Sequence, residues 1–122
     1  MHTIFHVCAD RGIDPAGSKG ASIHLRSIAT ALAAHCNVVM LASRTSTDRV
    51  VGDDGGSVPV EPLRGPESIL DAARRHGTPY AIYERYSLGG TAGLEAARAL
   101  GCAFVLEVNA PLQMEASRHR PD

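Results

Sequence analysis

The sequence contains 122 residues with a formal net charge of −1 at neutral pH, and 44% of its residues are hydrophobic. This length suits one domain, and the hydrophobic content is ordinary for a globular protein with a sizeable core. The near-zero net charge gives no electrostatic footprint for nucleic acid or an anionic membrane, so we expect no nucleic-acid partner.

Cysteine spacing and the start of the chain bear on compartment and metal content. Cys8, Cys36 and Cys102 are too widely spaced to suggest a metal site, and we expect reduced thiols. The first residues lead into an apolar stretch without a charged leader region, which indicates no signal peptide. No apolar run approaches the roughly 20 residues of a membrane span. The sequence therefore predicts a cytoplasmic protein without a metal site.

The N-terminal half alternates strands with a helix. Residues 4–8 predict a buried strand, residues 9–19 a loop and residues 38–41 a second buried strand. Residues 43–57 are polar and glycine-containing, which predicts a loop. Residues 58–60 predict a short third strand, and Pro59 places it at a sheet edge because proline cannot donate to the ladder. Residues 20–34 predict a helix whose apolar stripe comprises Ala21, Leu25, Ile28, Ala29 and Leu32.

The C-terminal half continues this alternation. A helix is predicted from Pro66 to Gly77, a strand within residues 80–86 and a helix over residues 91–100. A further strand over residues 104–108 follows, and Pro111 is expected to open a last helix. The alternation predicts a Rossmann-like three-layer α/β/α domain with a mostly parallel sheet.

Ligands of open parallel sheets bind outside the carboxyl ends of the strands. The first such loop ends in Gly17-Ser18-Lys19-Gly20, where a helix start, flexible glycines and a lysine suit an anion such as a phosphate. The spacing matches neither a P-loop nor a dinucleotide fingerprint. A plain flexible strand-to-helix turn is the alternative interpretation.

Two later loops also carry polar groups. Glu84-Arg85 ends a buried strand, which indicates either a structural ion pair or a polar ligand site. Glu107 lies at the end of the last strand and Asn109 follows it, where they could receive sugar hydroxyls or tie neighbouring loops together. Arg26, in the helix after the glycine loop, is expected to be solvated, and the scattered histidines receive no role.

Three blocks of the sequence resemble the N-terminal domain of family-four retaining glycosyltransferases of GT-B fold. The first block is residues 17–26, GSKGASIHLR; the later ones are residues 82–88, IYERYSL, and residues 106–112, LEVNAPL. Their order and separations are compatible with that domain over nearly the whole chain. The resemblance implies the acceptor-side half of a two-domain enzyme, with residues 1–122 forming that half.

The resemblance also implies roles for particular residues. Gly17, Ser18, Lys19 and Gly20 would contact the donor diphosphate, and Arg85 with the segment from Glu107 to Asn109 would line the acceptor side of the cleft. Many members of the family have a histidine where this chain has Asn109, so no role of that histidine is carried over. The nucleotide sugar is a substrate, and no cofactor is expected.

The resemblance further implies partners and an activity. A nucleotide-sugar donor and a small-molecule acceptor would be the ligands, and sugar would be transferred with retention of configuration. We expect the C-terminal donor-binding domain to be absent from this chain and the isolated half to be inactive. The exposed cleft side could then support a homodimer.

Other classes of α/β domain fit the sequence less well. A nicotinamide-binding domain predicts GxGxxG after the first strand and an acid after the second, and the chain has neither. A receiver-type signalling module needs a lysine late in the chain, whereas Lys19 is the single lysine. A stand-alone binding or assembly module, such as a subunit of a split transferase, remains the alternative.

Overall fold

The computed structural model describes residues 1–108. These residues form six strands and three helices, in the order β1 (Thr3–Cys8), α1 (Gly20–Ala33), β2 (Asn37–Ala42), β3 (Arg49–Val51), β4 (Ser57–Pro62), α2 (Pro66–His76), β5 (Ala81–Arg85), α3 (Ala92–Leu100) and β6 (Ala103–Glu107). The expected helix at Pro111 lies outside the described residues.

The strands form one six-stranded sheet in the order β3-β4-β2-β1-β5-β6. All neighbouring strands are parallel except β3 and β4, which are antiparallel. The predicted Rossmann-like α/β architecture is therefore confirmed. No described helix is long and apolar enough to cross a membrane.

Two apolar layers hold the sheet between its helices, because successive strand residues point to opposite faces. On β1, Phe5 and Val7 belong to the layer packed against α2 and α3, whereas Cys8 belongs to the layer packed against α1. All four last residues of β1 are buried, as expected for a central parallel strand.

The helices follow the predicted apolar pattern and end signals. Leu25 and Ala29 of the α1 stripe are buried. Gly77 and Gly101 end α2 and α3 with φ of 88° and 68°, a backbone region that glycine adopts without a steric penalty. The predicted ends of α2 and α3 are therefore confirmed.

The loop predicted over residues 43–57 is interrupted by a short strand, and the edge position predicted for Pro59 is wrong. Residues Arg49–Val51 form β3, which pairs with β4 and is the outer strand of the sheet. Pro59 is tolerated inside the sheet because β4 begins to pair with β2 only at Val60. Its missing N–H therefore interrupts no pairing with β2.

Candidate site at the carboxyl edge of the sheet

The chain proceeds to one side of β1 through α1 and β2, and to the other side through α2 and β5. Strand order therefore reverses between β1 and β5, which is where open α/β sheets bind their ligands. The segments after β1, β5 and β6 all leave this same edge of the sheet.

The glycine loop lies at the start of α1, and its last three residues are exposed. Lys19 is the N-cap residue, yet its side chain makes no capping hydrogen bond, and the first turn of α1 carries no acid. The first N–H groups of this 14-residue helix consequently lack a side-chain acceptor. Such a terminus favours an anion.

Arg26 holds the glycine loop in place. Its Nη1 donates to the carbonyl oxygens of Gly17 at 2.6 Å and Pro15 at 2.9 Å. The expectation that Arg26 is solvated is wrong, because the loop folds back over the second turn of α1. Gly17 is also closely packed, since an added Cβ would lie 2.8 Å from Ser22 Oγ.

Arg85 and Glu107 are cross-strand neighbours on the α1 side of the sheet. Register pairs Arg85 with Glu107 on one side and with Cys8 on the other. Arg85 Nη1 lies 3.8 Å from Glu107 Oε1, with 14% and 17% of the two side chains exposed. This separation is an ion-pair distance, and Arg85 Nη1 is buried without a hydrogen-bond partner among residues 1–108.

Tyr83 and His24 complete a polar cluster around the Glu107 carboxylate. The Tyr83 hydroxyl donates to Glu107 Oε2 at 2.6 Å, and His24 Nε2 lies 3.7 Å from Glu107 Oε1. Burial, followed by the hydrogen bond to Glu107, raises the pKa of Tyr83 to about 12, so its hydroxyl remains a donor. Because His24 belongs to α1, it brings the helix that begins at the glycine loop against the end of β6.

His6 lies beneath this cluster, one residue row further into the sheet. Its ring contacts Tyr83 edge-on at 5.2 Å between centroids, and neither ring nitrogen has a hydrogen-bond partner in the described part of the chain. Burial lowers the pKa of His6 to about 4. Among the neighbouring groups, Glu107 raises this pKa, whereas Arg85 and His24 lower it. The imidazole is therefore neutral at physiological pH.

Glu84 points to the opposite face, so it does not pair with Arg85. Its carboxylate Oε1 accepts a 3.1 Å hydrogen bond from the Gly93 N–H at the start of α3. The side chain is 1% exposed, and burial raises its pKa to about 6. The two residues therefore have separate roles. Glu84 accepts a hydrogen bond from the start of α3, whereas Arg85 belongs to the polar cluster around Glu107.

The structure brings Arg85 and Glu107 together, while Asn109 lies outside the described residues. Residues 17–20 lead into α1, the helix whose His24 approaches Glu107, and no hydrogen bond or ion pair within residues 1–108 joins them to Arg85. Sequence reasoning missed Tyr83, His24 and His6. A usable signal was present for Tyr83, which shares a face with Arg85 by the two-residue period of strands.

This arrangement offers donors and acceptors suited to a polyhydroxylated ligand. Arg85 and His24 can donate to oxygen atoms, and the Glu107 carboxylate can accept from hydroxyls. Within residues 1–108, no three histidine, cysteine or acidic side chains are grouped closely enough to hold a metal. No protein-family model, curated protein or solved structure matches this chain.

Proposed function

We propose that this chain is the acceptor-side, Rossmann-like half of a retaining glycosyltransferase of GT-B fold. The observation that carries the proposal is a convergence at one edge of the sheet. The segments starting at Gly17, Ile82 and Leu106, far apart in sequence, all reach the carboxyl edge near the strand-order reversal. They are the three blocks that resemble this family.

The glycine loop would contact the donor diphosphate. Its exposed backbone, the uncapped start of α1 and the ammonium of Lys19 together offer N–H donors and positive charge. These groups would stabilise the leaving nucleoside diphosphate as the glycosidic bond to it breaks and an oxocarbenium-like sugar develops. Arg26 would keep Gly17 in position through the hydrogen bond to its carbonyl oxygen.

Arg85 and Glu107 would face the acceptor, with Asn109 next to them in sequence. A buried guanidinium nitrogen without a hydrogen-bond partner among the described residues favours an oxygen-rich ligand, because an unsatisfied buried donor is costly. The Glu107 carboxylate, which accepts a hydrogen bond from the Tyr83 hydroxyl, is an acceptor of the kind that binds sugar hydroxyls.

A second Rossmann-like domain would bind the base and ribose of the donor across a cleft. Apolar side chains that follow the carboxyl ends of β5 and β6 support such a partner: Leu88 is 93% and Val108 53% exposed. Exposed apolar groups of this kind are typical of an interaction surface. The nucleotide-sugar donor places the proposed activity in the cytoplasm.

A stand-alone binding or assembly module is the second candidate, and the same exposed side chains favour it. It differs in one consequence, since an assembly module needs no diphosphate contact at Gly17–Gly20. The two functions are therefore separated by ligand binding at the glycine loop.

Nuclear magnetic resonance of the chain with UDP or GDP as probe tests the proposal. We expect saturable shifts of the amides of Gly20 and Ser22, weakened in Lys19→Gln and unchanged in the control Arg98→Gln on α3. Binding should be weak, because the base and ribose contacts belong to the other domain. An absence of shifts at residues 17–22 with both nucleotides would contradict the diphosphate contact.

A further inference from the structure

Two basic side chains on the α1 side of the sheet are buried with nitrogen atoms that lack hydrogen-bond partners. His6 is 1% exposed, and neither of its ring nitrogens has a partner among residues 1–108. Arg85 Nη1 is also buried, and it lacks a partner in the same part of the chain. Buried polar atoms of this kind cost free energy unless another polar atom satisfies them, so each calls for a partner.

The two side chains lie on adjacent strands and on the same face of the sheet. Register pairs His6 of β1 with Tyr83 of β5. Arg85 lies two residues beyond Tyr83, so its side chain shares that face. Burial is the main cause of the lowered pKa of His6, but Glu107 raises this pKa and Arg85 lowers it further. These electrostatic effects require both charged groups to lie near the imidazole.

The distances around the Glu107 carboxylate are those of a bridged contact. Arg85 Nη1 lies 3.8 Å from Glu107 Oε1, and His24 Nε2 lies 3.7 Å from the same oxygen. A direct hydrogen bond from nitrogen to oxygen spans only about 2.7–3.2 Å. Polar atoms separated by more than about 3.5 Å are commonly joined by a water molecule. A water oxygen about 2.8 Å from both Arg85 Nη1 and Glu107 Oε1 would complete a triangle on their 3.8 Å separation.

A water molecule matches the chemistry of these groups better than an ion does. The guanidinium of Arg85 only donates, and the carboxylate of Glu107 only accepts. Because burial lowers the pKa of His6 to about 4, its imidazole is neutral and has one nitrogen that accepts. One water can accept from Arg85 and donate to the other two groups, which gives it the roughly three hydrogen bonds typical of buried water. An anion would be repelled by the carboxylate.

We propose that an internal water molecule links His6, Arg85 and Glu107, and that His6 is a positioning residue for the Arg85 guanidinium through this water. The hydrogen bond from Arg85 Nη1 to the water fixes the orientation of the guanidinium, and the imidazole fixes the water. The water site itself depends on no reaction. Its consequence for ligand binding rests on the proposed function, in which Arg85 contacts the acceptor.

A high-resolution crystal structure of the wild-type chain tests the water site directly. We expect electron density for a water oxygen within about 3.2 Å of Arg85 Nη1, Glu107 Oε1 and one ring nitrogen of His6. A protein atom at that position, a direct hydrogen bond between His6 and Arg85, or an absence of density there would each overturn the proposal. This measurement needs no variant, so it decides the proposal even if a substitution at His6 prevents folding.

The positioning role of His6 is tested by nuclear magnetic resonance of the Arg85 guanidinium. Rotation about its Cζ–Nε bond should be at least about tenfold faster in His6→Phe, as expected when a hydrogen bond to a charged group is lost. His6→Gln, which keeps a donor and an acceptor, should restore slow rotation. His2→Phe is the matched control, because it replaces an exposed histidine that packs on Tyr80. Unchanged rotation in His6→Phe would overturn the positioning role.

The outcome is distinguishable from that of the glycine-loop experiment. A missing water, or a guanidinium of Arg85 that is insensitive to His6→Phe, overturns this inference even if nucleotides shift residues 17–22. Nucleotides that leave residues 17–22 unaffected contradict the proposed function even if the water is present between His6 and Arg85.

Discussion

The Glu84 carboxyl is buried against the start of α3, and its pKa is raised to about 6 from an ordinary value of 4.5. The folded state therefore binds a proton more tightly than the unfolded state. Between pH 4.5 and 6 the folded state holds more protons, so the contribution of Glu84 to stability falls as pH rises. From the size of the shift, that loss amounts to about 2 kcal/mol.

Glu84→Gln should therefore be more stable than the wild type at pH 7, by up to about 2 kcal/mol, and nearly equal to it at pH 4. The amide oxygen can still accept the Gly93 N–H and carries no charge to bury. Urea denaturation at the two pH values measures the difference in the free energy of unfolding between the two proteins. The loss of stability due to protonation of His6 at low pH is common to both proteins and cancels from this difference. Glu67→Gln, on an exposed site of α2, should show no such pH dependence. An equal destabilisation of Glu84→Gln at both pH values would contradict this account.

Gly93 is required for the Glu84 contact. A Cβ at this position would collide with Glu84 Oε1 and lie 3.1 Å from the Phe104 ring. Gly93→Ala should destabilise the domain by about 1–3 kcal/mol, the usual cost of overpacking. Gly20→Ala is the matched control, because an added Cβ there has no neighbour within 4 Å. Thermal unfolding of both variants measures the contrast, which a neutral Gly93→Ala would refute.

At the residue scale, sequence reasoning found side chains more readily than their partners. The alternation of strand residues places Glu84 and Arg85 on opposite faces, which is knowable from sequence once the strand is identified. The partners of both depend on which elements pack on each face. The contact of Glu84 with Gly93 and the approach of His24 to Glu107 therefore needed the structure.

At the element scale, the loop before α1 depends on Arg26. Its two hydrogen bonds to the carbonyl oxygens of Pro15 and Gly17 hold the loop against the helix. Arg26→Gln should speed hydrogen exchange of the Gly17 amide, which donates to Asp14 O at 2.8 Å, without affecting α3. Arg98→Gln should leave Gly17 unchanged. Exchange at Gly17 that is equally slow in Arg26→Gln would show that the loop is held by other contacts.

Elements with strong end signals were predicted well, and the short β3 was not. Gly77 and Gly101 end α2 and α3 because a glycine adopts positive φ freely, and this signal is local in sequence. The three residues of β3 form a strand only because β4 offers an edge for antiparallel pairing. The edge position predicted from Pro59 was wrong for a related reason. Whether a proline fits inside the sheet depends on where β4 begins to pair with β2, and the local sequence does not show this.

At the scale of the whole molecule, apolar side chains extend beyond the carboxyl edge. Leu88 is 93% exposed, and burying such a side chain in an interface is favourable by about 1.5–3 kcal/mol. We expect the isolated chain to self-associate through this edge, and Leu88→Ser to weaken association by at least about tenfold. Val51→Ser, on the outer strand β3, is the control, because it removes an apolar side chain that is 60% exposed at a different edge of the sheet. Sedimentation equilibrium measures both, and a monomeric wild type at all concentrations would contradict the expectation.

The fold and the position of the site were within reach of sequence reasoning, because alternating strands and helices place ligand loops at one edge. The contacts of the polar cluster were not, since His24, Arg85 and Glu107 belong to three separate elements. Only the strand order and the packing of α1 bring those elements together.

The most direct test of the glycosyltransferase account is turnover of nucleotide sugars by this domain together with a donor-binding second domain. The account predicts release of nucleoside diphosphate that requires both domains and an acceptor. Lys19→Ala should lower kcat/KM at least about tenfold, because it removes positive charge from the leaving diphosphate, whereas Arg98→Gln should not. No release from UDP-, GDP- and ADP-sugars with phosphorylated and neutral polyol acceptors, or turnover unaffected by Lys19→Ala, would contradict the account.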